Sequence, residues 1–131
     1  MSDAIVFISQ NRIKPGKFDA LKAYAPKVAE AIDRDKPGTV VFVMYADHEG
    51  TQASIVHVFP DADDMQRHLQ GVDARASEAF EFIETTGYEI HGSPNEQVLE
   101  MMREYASKLN VELIIRSDNL AGYTRVGSER R

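Results

Sequence analysis

The segment from Val56 to Leu69, V-H-V-F-P-D-A-D-D-M-Q-R-H-L, constrains the fold more than any other stretch of the chain. Val56 to Phe59 closes a run of β-branched and aromatic residues, and Pro60 ends it, because proline offers no donor to a sheet ladder. Asp61 or Asp63 supplies a helix N-cap, and the acidic residues beside it suit the positive end of a helix dipole. Met65, Leu69, Val72, Ala76 and Phe80 then fall at helical spacing, which predicts one amphipathic helix running through to Phe80. A strand that turns at once into a helix brings His57 and Phe59 round to face His68.

The flanking elements follow from the same signals. Ala4 to Gln10 reads as a first strand, and Lys14-Pro15-Gly16 breaks it. Phe18, Leu21, Ala25, Val28 and Ile32 form the stripe of a first helix, with Pro26 expected to kink it through a lost donor and a clash with the preceding turn. Val40–Ala46 and Ala53–Phe59 are strands around the turn D-H-E-G, and Phe82–His91 is a weaker fourth strand. Ser93-Pro94-Asn95-Glu96 reads as a capping box with proline at the first helical position, opening a helix striped by Val98, Met101, Met102, Tyr105 and Leu109. Val111–Arg116 and Gly122–Val126 are read as strands of a terminal hairpin.

The order β-α-β-β-α-β predicts an α+β chain with a ferredoxin-like split βαβ antiparallel sheet, both helices on one face. The whole chain, residues 1–131, is one domain, with a core over 1–92 and an α-β-β extension over 93–131. The first two strands are apolar at both alternating positions, whereas a sheet covered on one face alternates apolar with polar. A homodimer, forming a dimeric α+β barrel, is the preferred cover for the second face, and the C-terminal hairpin the competing or cooperating one.

Composition removes whole classes of function. At 43% hydrophobic and 27% charged residues the chain is of the soluble globular kind, and no apolar run is long enough to span a membrane. The N-terminus lacks the basic region of a secretory signal, so the cytoplasm is the expected compartment. A net charge of −6 opposes nucleic-acid binding, and the absence of cysteine removes disulfides and thiolate chemistry. No Gly-rich phosphate loop or nucleophile elbow is present. His57 and His68 lack a third ligand, so no metal is expected.

From Ile5 to His91 the chain resembles the antibiotic biosynthesis monooxygenase family of dimeric α+β barrels. The resemblance rests on I-K-P-G-K opening the first helix, on Pro37-Gly38 before the second strand, and on the strand–helix segment ending at His68. It implies a small homodimer with a pocket between helices and sheet, in which cofactor-free oxygenation of an aromatic polyketide or quinol takes place and His68 is the base or orienting group. The sequence departs from that pattern in three places. Phe59 stands where the oxygenases carry tryptophan, Ile55 where they can carry asparagine, and His57 where an acidic residue is common. Asn11-Arg12 is similar to the pair that ends the first strand in a haem-degrading branch, but the haem-ligating histidine of that branch has no counterpart between Leu69 and Phe80.

If the D-H-E-G turn pairs Ala46 with Thr51, then Phe42 opposes Ile55 and Val40 opposes His57. Phe42, Ile55, His57 and Phe59 then share one face, as a wall for a flat apolar ligand or as an ordinary core with one hydrogen-bonded histidine. His68, at the edge of its helical stripe, is either a general base near neutral pKa or a boundary histidine. Asn11 and Arg12 are placed near the pocket mouth, and Tyr24 on the flank of the first helix. Two functions fit these residues. One is a cofactor-independent monooxygenase acting on a small aromatic or quinol-type metabolite, with His68 as base and Phe42, His57, Phe59, Asn11, Arg12 and Tyr24 around the substrate. The other is a non-catalytic dimeric barrel that binds a small ligand or serves as an assembly module; an isomerase or lyase on the same scaffold is a third.

Overall fold

A computed structural model describes residues 4–125. Its elements are β1 (Ile5–Ile13), α1 (Phe18–Asp35), β2 (Val41–Ala46), β3 (Gln52–Phe59), α2 (Ala62–Leu69), α3 (Val72–Ala79), β4 (Ile83–His91), α4 (Glu96–Leu109) and β5 (Glu112–Arg116). The strands form one sheet in the order β2-β3-β1-β4-β5. The first four strands are antiparallel neighbours in the ferredoxin-like order, and β5 adds parallel to β4 after crossing over through α4. The sheet is therefore mixed, not wholly antiparallel.

In β1 the burial alternates strictly. Ile5, Phe7, Ser9, Asn11 and Ile13 are buried, and Val6, Ile8 and Gln10 are half-exposed. The buried face carries two apolar clusters: Ile5, Phe7, Phe59 and Met65 with Val98 and Met102 of α4, and Ile13, Leu21, Ala53 and Ile83 at the other end. All the helices that contribute to the core pack on this face.

Several expectations are corrected. β1 runs three residues beyond Gln10, because Ile13 continues the buried alternation. The first helix stands as predicted, one element with Pro26 inside it and that residue on the exposed side. The predicted second helix is two: Gly71 has φ +78 and separates α2 from α3. Asn95, not Ser93, caps α4 by accepting from the Val98 N–H at 2.8 Å, so Pro94 lies outside the helix. There is no terminal hairpin within the described residues. Gly122–Arg125 is not a strand, and Val126 lies outside the described range.

The β2–β3 register is displaced by two residues. Asp47 Oδ1 accepts from the backbone N–H groups of Thr51 at 2.7 Å and Gln52 at 3.0 Å, so Thr51 is drawn into the turn. Ala46 then opposes Ala53, and Phe42 opposes His57. A slip of two keeps every side chain on its face, where a slip of one would have reversed them all.

Candidate functional site

β3 places His57 in the centre of the buried face, between Phe7 of β1 and Phe42 of β2. Its ring stacks on Phe7 at 4.7 Å between centroids and meets Phe42 edge to face at 5.2 Å. Nδ1 lies 2.9 Å from the Phe7 carbonyl oxygen. A carbonyl only accepts, so Nδ1 carries the proton and Nε2 the lone pair. Burial pushes the His57 pKa down to about 4, because the interior penalises the charged ring.

His68 arrives from the last turn of α2. Asp61 caps this helix by accepting from the Asp64 N–H at 2.9 Å, and buried Met65 and Leu69 seat it on the sheet. The loop before β2 steadies its far end, with Lys36 Nζ donating to the carbonyls of Arg67 and Gln70 at 2.7 and 3.0 Å. His68 Nδ1 lies 2.7 Å from Thr39 Oγ1, and its ring meets His57 edge to face at 4.9 Å. Burial, then His57 and Arg75, push its pKa down to about 2. Both imidazoles are neutral. Among the described residues no buried side-chain nitrogen or oxygen lacks a partner. The Nε2 atoms, which neither of these hydrogen bonds uses, therefore open onto accessible space.

That space is a cavity of about 130 Å³ bridging the two apolar clusters, comparable with the about 150 Å³ cavity that takes up benzene in an engineered core. Phe42, Ile55, His57, His68, Tyr24 and Asn11 all border it. Phe59 does not; it is fully buried and packs against the rings of His57 and His68 at 6.0 and 5.2 Å, fixing them from beneath. Asn11 is saturated: Nδ2 donates to the Ser9 and Ala53 carbonyls, and Oδ1 accepts from Thr85 Oγ1 at 2.9 Å. It sits where the β1–β4 register shifts, and its amide satisfies that irregularity. Arg12 does not reach the cavity mouth. One residue further along the strand, it projects to the other face, exposed and ion-paired with Glu84.

Sequence reasoning missed Arg75 of α3. It is half-buried, and it is the one lining side chain among the described residues that is ordinarily charged at neutral pH. Nη2 donates to the His68 carbonyl at 2.5 Å, and the ion pairs found among the described residues do not include it. Burial lowers its pKa, yet a guanidinium stays protonated in proteins. Tyr88 and Tyr105 also border the cavity. With Tyr24, whose pKa is pushed up to about 12 by burial and by the bond its hydroxyl donates to Glu78, they present neutral phenols. The sequence offered no signal for Arg75, because it flanks the predicted stripe of Val72, Ala76 and Phe80, where a charged side chain ordinarily turns to solvent. Three His, Cys, Asp or Glu side chains able to hold a metal are not found together among the described residues, and no helix there is long and apolar enough to cross a membrane.

No family model and no curated protein matches the chain. Solved structures do. MupZ from Pseudomonas fluorescens is 21% identical, over 93% of this chain and 91% of its own, with a TM-score of 0.70. SnoaB, a cofactor-independent oxygenase from Streptomyces nogalater, is 15% identical in a mutant form, over 72% and 96%, with a TM-score of 0.60. A candidate antibiotic biosynthesis monooxygenase from Chloroflexus aurantiacus is 20% identical over 66% and 89%, at 0.53. Coverage of 93% brings most of the segment after His91 into the MupZ alignment. These likenesses establish the fold: the chain has the ferredoxin-like fold of the antibiotic biosynthesis monooxygenase-like proteins.

Proposed function

We propose that this chain, built on that fold, is a cofactor-independent monooxygenase of a small single-ring quinol or comparable phenol. The observation that supports it is the cavity itself, with aromatic walls, ring-sized volume, two neutral imidazoles at its base and one guanidinium beside them. The base role uses the tautomer in which His68 Nδ1–H donates to Thr39 Oγ1, which leaves Nε2 with the lone pair that accepts a phenolic proton. The charge that develops on the substrate oxygen is stabilised by Arg75, a preorganised cation in a medium of low dielectric.

The substrate supplies the electrons. Loss of the O–H proton to His68 leaves a phenolate whose ortho carbon passes electrons to O₂, forming a C–O bond. The proton returns from His68 to give a ring hydroperoxide. Breaking its C–H and O–O bonds releases water and leaves a carbonyl. A hydroquinone and O₂ thus give a hydroxyquinone and H₂O.

A second reading, a binding module without turnover, is favoured by one observation: imidazoles with pKa values near 4 and 2 are weak bases in the unliganded cavity. One experiment separates the two. Oxygen uptake and incorporation of ¹⁸O from ¹⁸O₂ are measured over a panel of hydroquinones and catechols. The expected outcome is one labelled atom in the product and a loss of about 100-fold in kcat/KM in His68→Ala. Unchanged turnover of every accepted quinol in that variant removes His68 from the mechanism. Binding without oxygen uptake by any panel member establishes the module.

A further inference from the structure

The cavity wall carries a half-buried positive charge that no ion pair among the described residues meets. Its lining contains no Asp or Glu and no Lys; the two histidines are neutral, and so are the three tyrosines. Arg75 is drawn against this apolar surface by its position on α3, between Val72 and Ala76, which also line the cavity. One of its five donors is used on the His68 carbonyl. Removing a cation from water is unfavourable unless a counter-charge or a full set of acceptors replaces the water. Tyr24 and Tyr105 are titratable groups beside it; their phenol oxygens can accept from a guanidinium but supply no counter-charge, and Tyr24 spends its own proton on Glu78.

From this arrangement we infer that the cavity takes a planar aromatic carboxylate, its ring against Phe42, His57 and Ile55 and its carboxylate on Arg75. The inference rests on the reading of the cavity as an aromatic-binding site and narrows it: the phenol that His68 would deprotonate is carried by an aromatic acid. A guanidinium matches a carboxylate through two parallel hydrogen bonds, and such charged pairs are the strong ones away from water. The ring of a benzoate is of the size the cavity admits.

The test compares benzoate with benzamide, its neutral counterpart of nearly equal shape, by calorimetry on the full chain. Ring resonances of His57 and His68 report occupancy of the cavity. Benzoate is expected to bind at least tenfold more tightly than benzamide, with that preference abolished in Arg75→Met and retained in part in Arg75→Lys. Methionine preserves much of the apolar stem, so continued binding of benzamide to Arg75→Met shows that the cavity is intact. The wild-type preference is read without any variant. Equal affinities in the wild-type chain, or a benzoate preference that survives in Arg75→Met, overturn the inference. In the equal-affinity case, histidine resonances that shift with both probes leave the aromatic cavity standing while the anion site falls. If neither probe moves them, both readings fall together.

Discussion

His57 and His68 meet edge to face with little solvent between them, and the fold holds both uncharged. In the unfolded chain each titrates near its ordinary value of 6.5; in the folded chain the values are about 4 and about 2. Between the folded and unfolded values the unfolded state binds more protons, so acid favours unfolding. The contribution of the neutral rings is complete above pH 6.5 and declines as pH falls towards the folded values. Each histidine in its window removes about 1.4 kcal/mol of stability per pH unit. Asp47, held down to about 2 by the Thr51 and Gln52 hydrogen bonds, acts only below its ordinary 3.8 and does not interfere. Urea midpoints should therefore hold level from about pH 7.5 to about pH 6.5 and fall steadily from there to about pH 4.5, and His68→Gln should lower that slope by about half. A flat profile would show that the rings are solvated.

At this scale the sequence was informative where it specified a face and silent where it had to specify a contact. Alternation along β3 was enough to group Phe42, Ile55 and His57, and the grouping survived a register error of two. Asn11 and Arg12 are adjacent in sequence and opposite in space, and treating them as a pair concealed that.

Among the elements, α3 is the one that local pattern described least well. The spacing of Leu69, Val72 and Ala76 is compatible with an unbroken helix, and a lone glycine inside such a pattern is ordinarily tolerated. What separates α2 from α3 is the left-handed backbone of Gly71, and no residue of α3 is fully buried. The terminal hairpin failed for the opposite reason. Gly122–Arg125 carries a strand-like local pattern, but Leu120 and Tyr123 remain exposed, and among the described residues no strand pairs with the segment. Two of the positive-φ glycines, Gly71 and Gly50, predict a graded result. A Cβ at Gly71 would meet nothing closer than Arg75 Nη1 at 4.0 Å, so Gly71→Ala should cost only the backbone strain, about 1 kcal/mol. A Cβ at Gly50 would fall 2.3 Å from the Phe18 ring, adding a clash to the same strain. Gly50→Ala should therefore lower the urea midpoint clearly more than Gly71→Ala; the reverse order would contradict the turn geometry.

For the whole molecule, the unsolved surface is the outer face of the sheet. The registers set three rows across it: Val41, Val58, Val6 and His91; Val43, Val56, Ile8 and Glu89; Tyr45, Ser54, Gln10 and Gly87. The β2, β3 and β1 positions of the first two rows are all β-branched and apolar, and Tyr45 in the third is 67% exposed. The polar side chains concentrate elsewhere, where Gln10 bonds to Glu89 and Ser54 and His91 lies 3.3 Å from Glu89. The helices that build the core lie on the other face, and residues 117–124 border a hollow at one end, against Val6 and His91; Ile8 and Val56 do not line it. A contiguous apolar patch of this kind marks an association surface. We propose a second copy as its occupant, because a two-fold contact sets the same rows against each other and needs no complementary partner. The chain should therefore sediment as a dimer at micromolar concentration. Val56→Glu, at the centre of the patch and away from the cavity, should give a monomer with an unchanged far-ultraviolet spectrum, since an unpaired carboxylate cannot be buried at low cost. A wild-type monomer, or a Val56→Glu dimer, would show that this face is left to water, and the apolar rows would then need another explanation.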